Sequence, residues 1–154
     1  MQASRRPTRP RSQSGLDRRL VRRLARFRYE LRRFLRFSEQ AARASGVTPQ
    51  QYQLMLGIAG HAEDGEATIS ELAEFLQQRH NAVVGLVERA AQRGLVSKTQ
   101  GEPDRRFVRV RLTARGEGLL TRLASAHRQE AARLRARWLM VEGCERFRRP
   151  RPGS

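Results

Sequence analysis

The sequence predicts a mainly α-helical fold with a small antiparallel β-wing, and three observations carry that prediction. Apolar residues recur at helical spacing through two long terminal segments, residues 16–45 and 117–147. Between them, two shorter periodic segments flank a polar break, Gln77-Gln78-Arg79. Partial period-two alternation from Phe107 to Leu112 then follows the turn formers Gly101, Pro103 and Asp104.

Residues 1–15 are rich in Arg, Ser, Gln and Pro and hold no apolar cluster, so they are expected to be disordered alone. A phosphate-touching arm and a solvated tail are both open for them. Residues 16–45 read as one helix. Leu20, Leu24, Phe27, Leu31 and Phe34 alternate spacings of four and three, a heptad-like seam widened by Val21, Leu35 and Phe37. Arg18, Arg19, Arg22, Arg26, Arg33 and Arg36 crowd the other side. A helix of about thirty residues is about 45 Å long, more than a small module needs for its own core. The surplus seam calls for a partner: the C-terminal helix of the same chain and of a second copy. A basic amphipathic helix lying on anionic lipid is the rival reading.

Gly46 ends this helix. Thr48 caps the next, with Pro49 at its first position and Gln51 at the capping-box position. Its expected buried face is Tyr52, Met55, Leu56 and Ile58 or Ala59, and residues 61–67 read as a polar loop. Thr68 or Ser70 caps a third helix with Ile69, Leu72, Ala73 and Leu76 on one face. Asn81 is the expected cap of the fourth, whose stripe is Val83, Val84, Val87 and Ala91 with Leu86 and Ala90 beside it. Gly94 closes that helix after Arg93. Leu95 and Val96 open the first strand of a two-stranded hairpin, Phe107 to Leu112 form the second, and Thr113 caps the last helix. That helix runs through Leu119, Leu120, Leu123, Ala124, His127, Ala131, Leu134 and Trp138 towards a break at Gly143. Helix, turn, helix and hairpin in this order make residues 46–116 a winged helix-turn-helix. The long terminal helices on either side are expected to dimerise, and residues 148–154 form a second basic tail.

The 154 residues fit one domain with arms. A formal charge of +17 points to a polyanionic partner. Lys98 is the only lysine, so the rest of the positive charge is arginine, which forks onto phosphate and guanine. From Gly46 to Gly118 basic and acidic residues balance, but they are segregated: Glu63, Asp64, Glu66, Glu71 and Glu74 precede Arg79, Arg89, Arg93, Lys98, Arg105, Arg106, Arg109, Arg111 and Arg115. The exposed face of the fourth helix is left with Arg79, His80, Asn81, Gly85, Arg89, Gln92 and Arg93. A helix this size fits the major groove of B-DNA, and these side chains are donor-rich. Gly85 would let backbone approach closely there. Arg105 and Arg106 at the hairpin tip suit an adjacent minor groove. Ordinary solvated charge is the competing reading for each arginine alone; the ordered set favours double-stranded DNA.

Other classes are disfavoured. The single cysteine, Cys144, allows no intrachain disulfide, and with it neither a four-cysteine nor a Cys₂His₂ zinc site can be assembled. His61, His80 and His127 are scattered, so no metal and no cofactor is expected. No nucleophile–base pair, paired carboxylates or phosphate-binding glycine loop appears, so the chain does not read as an enzyme. No apolar run is long enough to span a bilayer, and the N-terminus lacks the apolar core of a secretory signal. Pro7 and Pro10 spoil an amphipathic transit helix, which leaves a cytoplasmic location as the expectation.

The stretches TPQQYQLML, ISELAEFL, VVGLVERAAQRGLVSK and PDRRFVRVRLTARG, in that order, resemble the MarR family of bacterial transcription regulators. The last is the most specific: Asp-x-Arg at the wing tip, a strand, then Leu-Thr-x-x-Gly. The resemblance covers about residues 16–147. It implies a homodimer on a pseudo-palindromic operator, most often a repressor, with residues 81–93 in the major groove. It implies a wing arginine, Arg106 and Arg105 beside it, at the minor groove, held by Asp104. The chain has Val84-Gly85 where many members carry a hydroxyl residue and an arginine, and Ala90 where leucine is usual. That shifts the expected base contacts to Arg79, His80 and Asn81. The resemblance also implies release by a small aromatic or phenolic effector in a crevice lined by Phe27, Tyr52, Met55 and His61, with plain core packing as the alternative for each. No cysteine lies near the start of the first helix, so peroxide sensing there is not expected.

Overall fold

The structure, a computed structural model, describes residues 16–60, 65–100 and 108–146. Its elements in chain order are α1 (Arg18–Ala44), α2 (Pro49–Gly60), β1 (Glu66–Thr68), α3 (Ile69–Leu76), α4 (His80–Gln92), β2 (Val96–Gln100), β3 (Val108–Leu112) and α5 (Ala114–Arg146).

Side-chain caps start most of these helices. Asp17 accepts from the Arg19 and Leu20 amides at 2.9 and 3.2 Å and opens α1. Thr48 and Gln51 bond reciprocally, each amide to the other side chain at 3.1 Å, which is the predicted capping box of α2. Thr68 and Glu71 form the same box at α3. Thr113 Oγ1 accepts from the Gly116 amide at 3.1 Å and caps α5. The ends of α1, α3 and α4 share one geometry, in which a left-handed residue lets the chain turn back and satisfy the last carbonyls. Gly46 (φ 81) closes α1 and Gly94 (φ 66) closes α4. Gln77 (φ 52) does so for α3, where a glycine would be the unstrained choice.

The core lies between α2, α3, α4, the inner face of the sheet and the start of α5. Leu54, Met55, Ile58, Leu72, Val83, Val87, Leu95 and Val110 are its largest fully buried side chains. Each buried aliphatic of this size stabilises the fold by roughly 1.5–3 kcal/mol. Two glycines allow close approach. A β-carbon on Gly57 would stand 2.8 Å from Phe75 Cδ1, and one on Gly116 would overlap the Leu95 carbonyl. The long helices pack together where Phe34 and Phe37 of α1 meet His127 of α5, and Arg137 Nη1 reaches Glu30 at 2.9 Å.

Four expectations are corrected. The sheet has three strands in the order β1-β3-β2, all antiparallel, not two. Residues 66–68, assigned to a loop and a cap, pair Glu66, Ala67 and Thr68 with Arg111, Val110 and Arg109. α4 begins at His80 with Arg79 as its cap residue, so Asn81 sits inside the first turn. The buried stripe of α4 is Val83, Leu86, Val87 and Ala90, while Val84 is 38% exposed. α5 continues through Gly143 to Arg146.

Candidate nucleic-acid interface

α4 buries its aliphatic stripe against the core, which turns Arg79, His80, Asn81, Arg89 and Gln92 to solvent. The Arg79 side chain makes no capping bond, and the first backbone bonds of the helix run from Ala82 and Val83 to the Arg79 carbonyl. The His80 and Asn81 amides therefore point out of the helix start, where an anion is favoured by both hydrogen bonding and the macrodipole. Glu88 is the one carboxylate on α4, and it is neutralised by an ion pair with Lys98 of β2. The register explains the pairing: Lys98 lies opposite Val110, on the inner face of the sheet and towards α4. The surface that α4 presents is thus cationic with no free carboxylate.

Gly85 does not present an open notch. A β-carbon there would stand 3.3 Å from Arg89 Nη1, so the Arg89 guanidinium already lies over it. Arg93 is exposed as expected, but its guanidinium is engaged within the chain. Its Nη2 donates to the Gly46 carbonyl at 2.5 Å and its Nη1 to Gln51 Oε1 at 3.5 Å. This arginine ties the end of α4 to the α1–α2 turn and is occupied within the protein.

On β3, Arg109 and Arg111 alternate with buried Val110 and project from the outer face of the sheet. Arg111 Nε donates to Ser97 Oγ at 3.3 Å. Both belong to the basic run in the sequence, but only the strand register shows that they share a face with Ser97 and Thr99. Asp104, Arg105 and Arg106 lie outside the described residues, as does His61.

The expected effector-lining residues differ in exposure. Met55 is fully buried in the core, and Phe27 is on α1, 37% exposed. Tyr52 is buried and stacks on His127, with ring centroids 4.8 Å apart and an interplanar angle of 30°. Phe34 and Phe37 close the cluster edge-on to His127 at 6.1 and 5.4 Å. His127 Nδ1 is 2.6 Å from the Leu123 carbonyl and so carries the proton, while Nε2 is buried with no partner among the described residues. His127 falls on the Leu120–Leu123 stripe, which is the signal that could have placed it inside. Burial disfavours the charged phenolate and pushes the Tyr52 hydroxyl above its ordinary value.

Among the described residues no three His, Cys, Asp or Glu side chains are grouped to hold a metal ion. No described helix is long and apolar enough to cross a membrane.

Comparisons with known proteins fall on the same module. Residues 45–106 match the model of the MarR family. The HTH-type transcriptional repressor MdtR of Bacillus subtilis (strain 168) is 32% identical over 72 residues, which span 47% of this chain and only 44% of that repressor. Among solved structures, the chain is similar to AbsC, a MarR family transcriptional regulator from Streptomyces coelicolor. The TM-score is 0.67 at 20% identity, covering 78% of this chain and 80% of AbsC. It is also similar to a MarR mutant from E. coli complexed with operator DNA, with a TM-score of 0.61 at 19% identity, covering 79% and 85% of the two chains. At these identities the solved structures speak for the fold alone. The family match coincides with the capped α2, the α3–α4 pair and β2, so over residues 45–106 the chain is similar to the MarR family, on a winged helix-turn-helix fold.

Proposed function

We propose that two copies of this chain pair through α1 and α5 and bind a pseudo-palindromic DNA operator as a transcriptional repressor. α4 enters the major groove with Arg79, His80, Asn81 and Arg89 towards the bases. Arg105 and Arg106, in the connection between β2 and β3, reach the minor groove, and Asp104 holds the wing arginine. The observation that carries this reading is the surface of α4: its cations are all outward and its single carboxylate is neutralised by Lys98. Phosphate contacts then supply affinity and make it salt-dependent, while base-edge contacts supply discrimination.

Pairing is supported by the uncovered apolar side of α1, where Leu20 and Leu24 are 52% and 51% exposed, by Leu16 just before it at 73%, and by Leu139 of α5 at 54%. The E. coli MarR mutant was solved with operator DNA, and a similarly folded MepR mutant from S. aureus with an oligodeoxyribonucleotide. A small aromatic effector acting beside the Tyr52–His127 stack would release the DNA. A regulator of this kind works in the cytoplasm.

The test is a fluorescence-anisotropy titration against the DNA upstream of the chain's own gene and against random duplex, at moderate salt. Preference for the upstream DNA by roughly a thousandfold or more is expected. The formal charge of +17 favours a second reading, a non-specific architectural protein on the same fold. Equal affinity for the two duplexes would select it.

A further inference from the structure

α1 carries ten arginines and two glutamates in its 27 residues. Arg18, Arg22, Arg26, Arg33 and Arg36, with Tyr29 between them, follow one another at spacings of three, four and seven, so they line one face of the helix. Leu20, Leu24, Phe27, Leu31 and Phe34 fall roughly 160° around, at 100° per residue, on the opposite face. The folded chain keeps that segregation. Ser38 and Ala42 are buried and Phe34 and Phe37 meet His127, while the five arginines are exposed.

The glutamates leave most of this seam unneutralised. Glu30 takes Arg137 of α5 and, at 3.9 Å, Arg33; Glu39 takes Arg43 at 3.5 Å. Among the described residues Arg18, Arg22, Arg26 and Arg36 meet no carboxylate. Arg32 and Arg36 also line a groove that ends at Arg133 of α5, whose charge Glu130 offsets at 3.1 Å. A second copy would not cover the seam, since arginine would face arginine. It would cover the apolar side.

Two polyanions could meet such a surface. A helix adsorbed on anionic lipid inserts its apolar face and flanks it with cations. Here the C-terminal part of the apolar face is packed into the protein, on the far side from the arginines, so lipid would gain charge contacts without inserted area. Duplex DNA needs only the charges. The seam from Arg18 to Arg36 is about 27 Å long at 1.5 Å per residue, most of one ~34 Å turn of B-DNA.

We propose that the arginine face of α1 is a second duplex-binding surface, separate from α4, through which one dimer holds two DNA segments together. That it is the second such surface rests on the reading of α4 above; the charge of the α1 face does not. The test compares the full chain with a variant carrying Arg18→Gln, Arg22→Gln, Arg26→Gln and Arg36→Gln, exposed sites where glutamine is a good helix former. Protein is loaded on immobilised upstream duplex, and capture of a fluorescent random duplex is measured. The full chain is expected to capture it and the variant to lose most of that capture. The slope of log affinity against log salt on random duplex should fall in magnitude by about 3–4 per protomer, near 0.9 for each phosphate no longer neutralised. A variant with the same four arginines changed to lysine keeps the charge and should still capture. If the glutamine variant melts early, Arg18→Gln/Arg22→Gln alone should show about half the loss.

Arg89→Ala separates the two surfaces: it should erode preference for upstream DNA while capture of the random duplex survives. Unchanged capture and slope in the folded glutamine variant would overturn the proposal. So would a loss confined to phosphatidylserine vesicles with DNA capture intact, which would assign the face to a membrane.

Discussion

The Arg89 guanidinium lies over Gly85 on the solvent face of α4, with Nη1 3.3 Å from where a β-carbon at position 85 would stand. The glycine therefore makes room for a side chain of its own helix. A mid-helix glycine costs about 0.8–1 kcal/mol relative to alanine, and the obstructing atom is the free end of a flexible side chain. Gly85→Ala should therefore stabilise the fold and raise Tm by roughly 2–4 °C. It should also displace Arg89 and weaken discrimination between upstream and random DNA. A variant both less stable and equally selective would show that Gly85 has some other task.

The opposite outcome is expected at Gly116. A β-carbon there would overlap the Leu95 carbonyl and stand 3.1 Å from its carbon, both backbone atoms that cannot swing aside. Thr113 reinforces the contact, donating from Oγ1 to the Gly94 carbonyl at 2.6 Å and from its amide to the Leu95 carbonyl at 3.1 Å. This junction locks the end of α4 to the start of α5. Gly116→Ala should cost about 1–3 kcal/mol or more by overpacking, read as a fall in the urea midpoint with unchanged m-value. Little change would mean that α5 can shift along β2 without loss.

Much of this fold is legible because its signals are local. Thr48 with Gln51 and Thr113 cap as predicted, Thr68 is the one of Thr68 and Ser70 that caps α3, and Gly46 and Gly94 close helices. What was not legible depends on distant partners. Glu66-Ala67-Thr68 is too short to alternate, and it is a strand only because β3 offers it a free edge. α4 starts at His80 rather than after Asn81 because α3 ends in a tight left-handed turn at Gln77. Val84, expected in the stripe, turns to solvent, while Leu86 is buried beside Val83 and Val87 as expected. At the site, Arg79, His80, Asn81 and Arg89 were readable as outward positions. The Arg93–Gly46 bond and the Glu88–Lys98 pair link residues from different elements, and no local pattern marks them.

Gln77 occupies a conformation that disfavours side chains, with φ at 52°. The Gln78 amide bonds the Ala73 carbonyl at 3.0 Å, so the turn is held by backbone and does not need the glutamine. Gln77→Gly relieves about 1 kcal/mol of left-handed strain, partly offset by the greater freedom of glycine when unfolded. A net gain of a few tenths to about 1 kcal/mol is expected, measured as a higher Tm. A loss would show that the Gln77 side chain makes an interaction worth more than the strain.

Arg93 separates stability from DNA affinity in another way. Its bond to the Gly46 carbonyl is charge-assisted but solvent-accessible, so Arg93→Ala should cost about 1 kcal/mol of stability. Because the guanidinium is occupied within the protein, the salt slope of DNA binding should stay the same. A slope smaller by about one would mean instead that Arg93 leaves Gly46 to contact a phosphate.

Tyr52 sets an alkaline limit. Its hydroxyl has a raised pKa because burial disfavours the phenolate. In the unfolded chain it ionises near 10, so above that pH the unfolded state has released a proton that the folded state still holds. Its contribution is therefore whole below pH 10 and is lost as pH rises through the folded value. Few other groups blur this limb: the chain has one lysine and two tyrosines, and Tyr29 is 54% exposed. Tyr52→Phe should keep the ring stacked on His127 and flatten the decline of stability as pH rises above about 10. Chemical denaturation at a series of pH values measures this. An unchanged decline in the variant would place the titrating group elsewhere in the fold and leave the Tyr52–His127 stack with a packing role only.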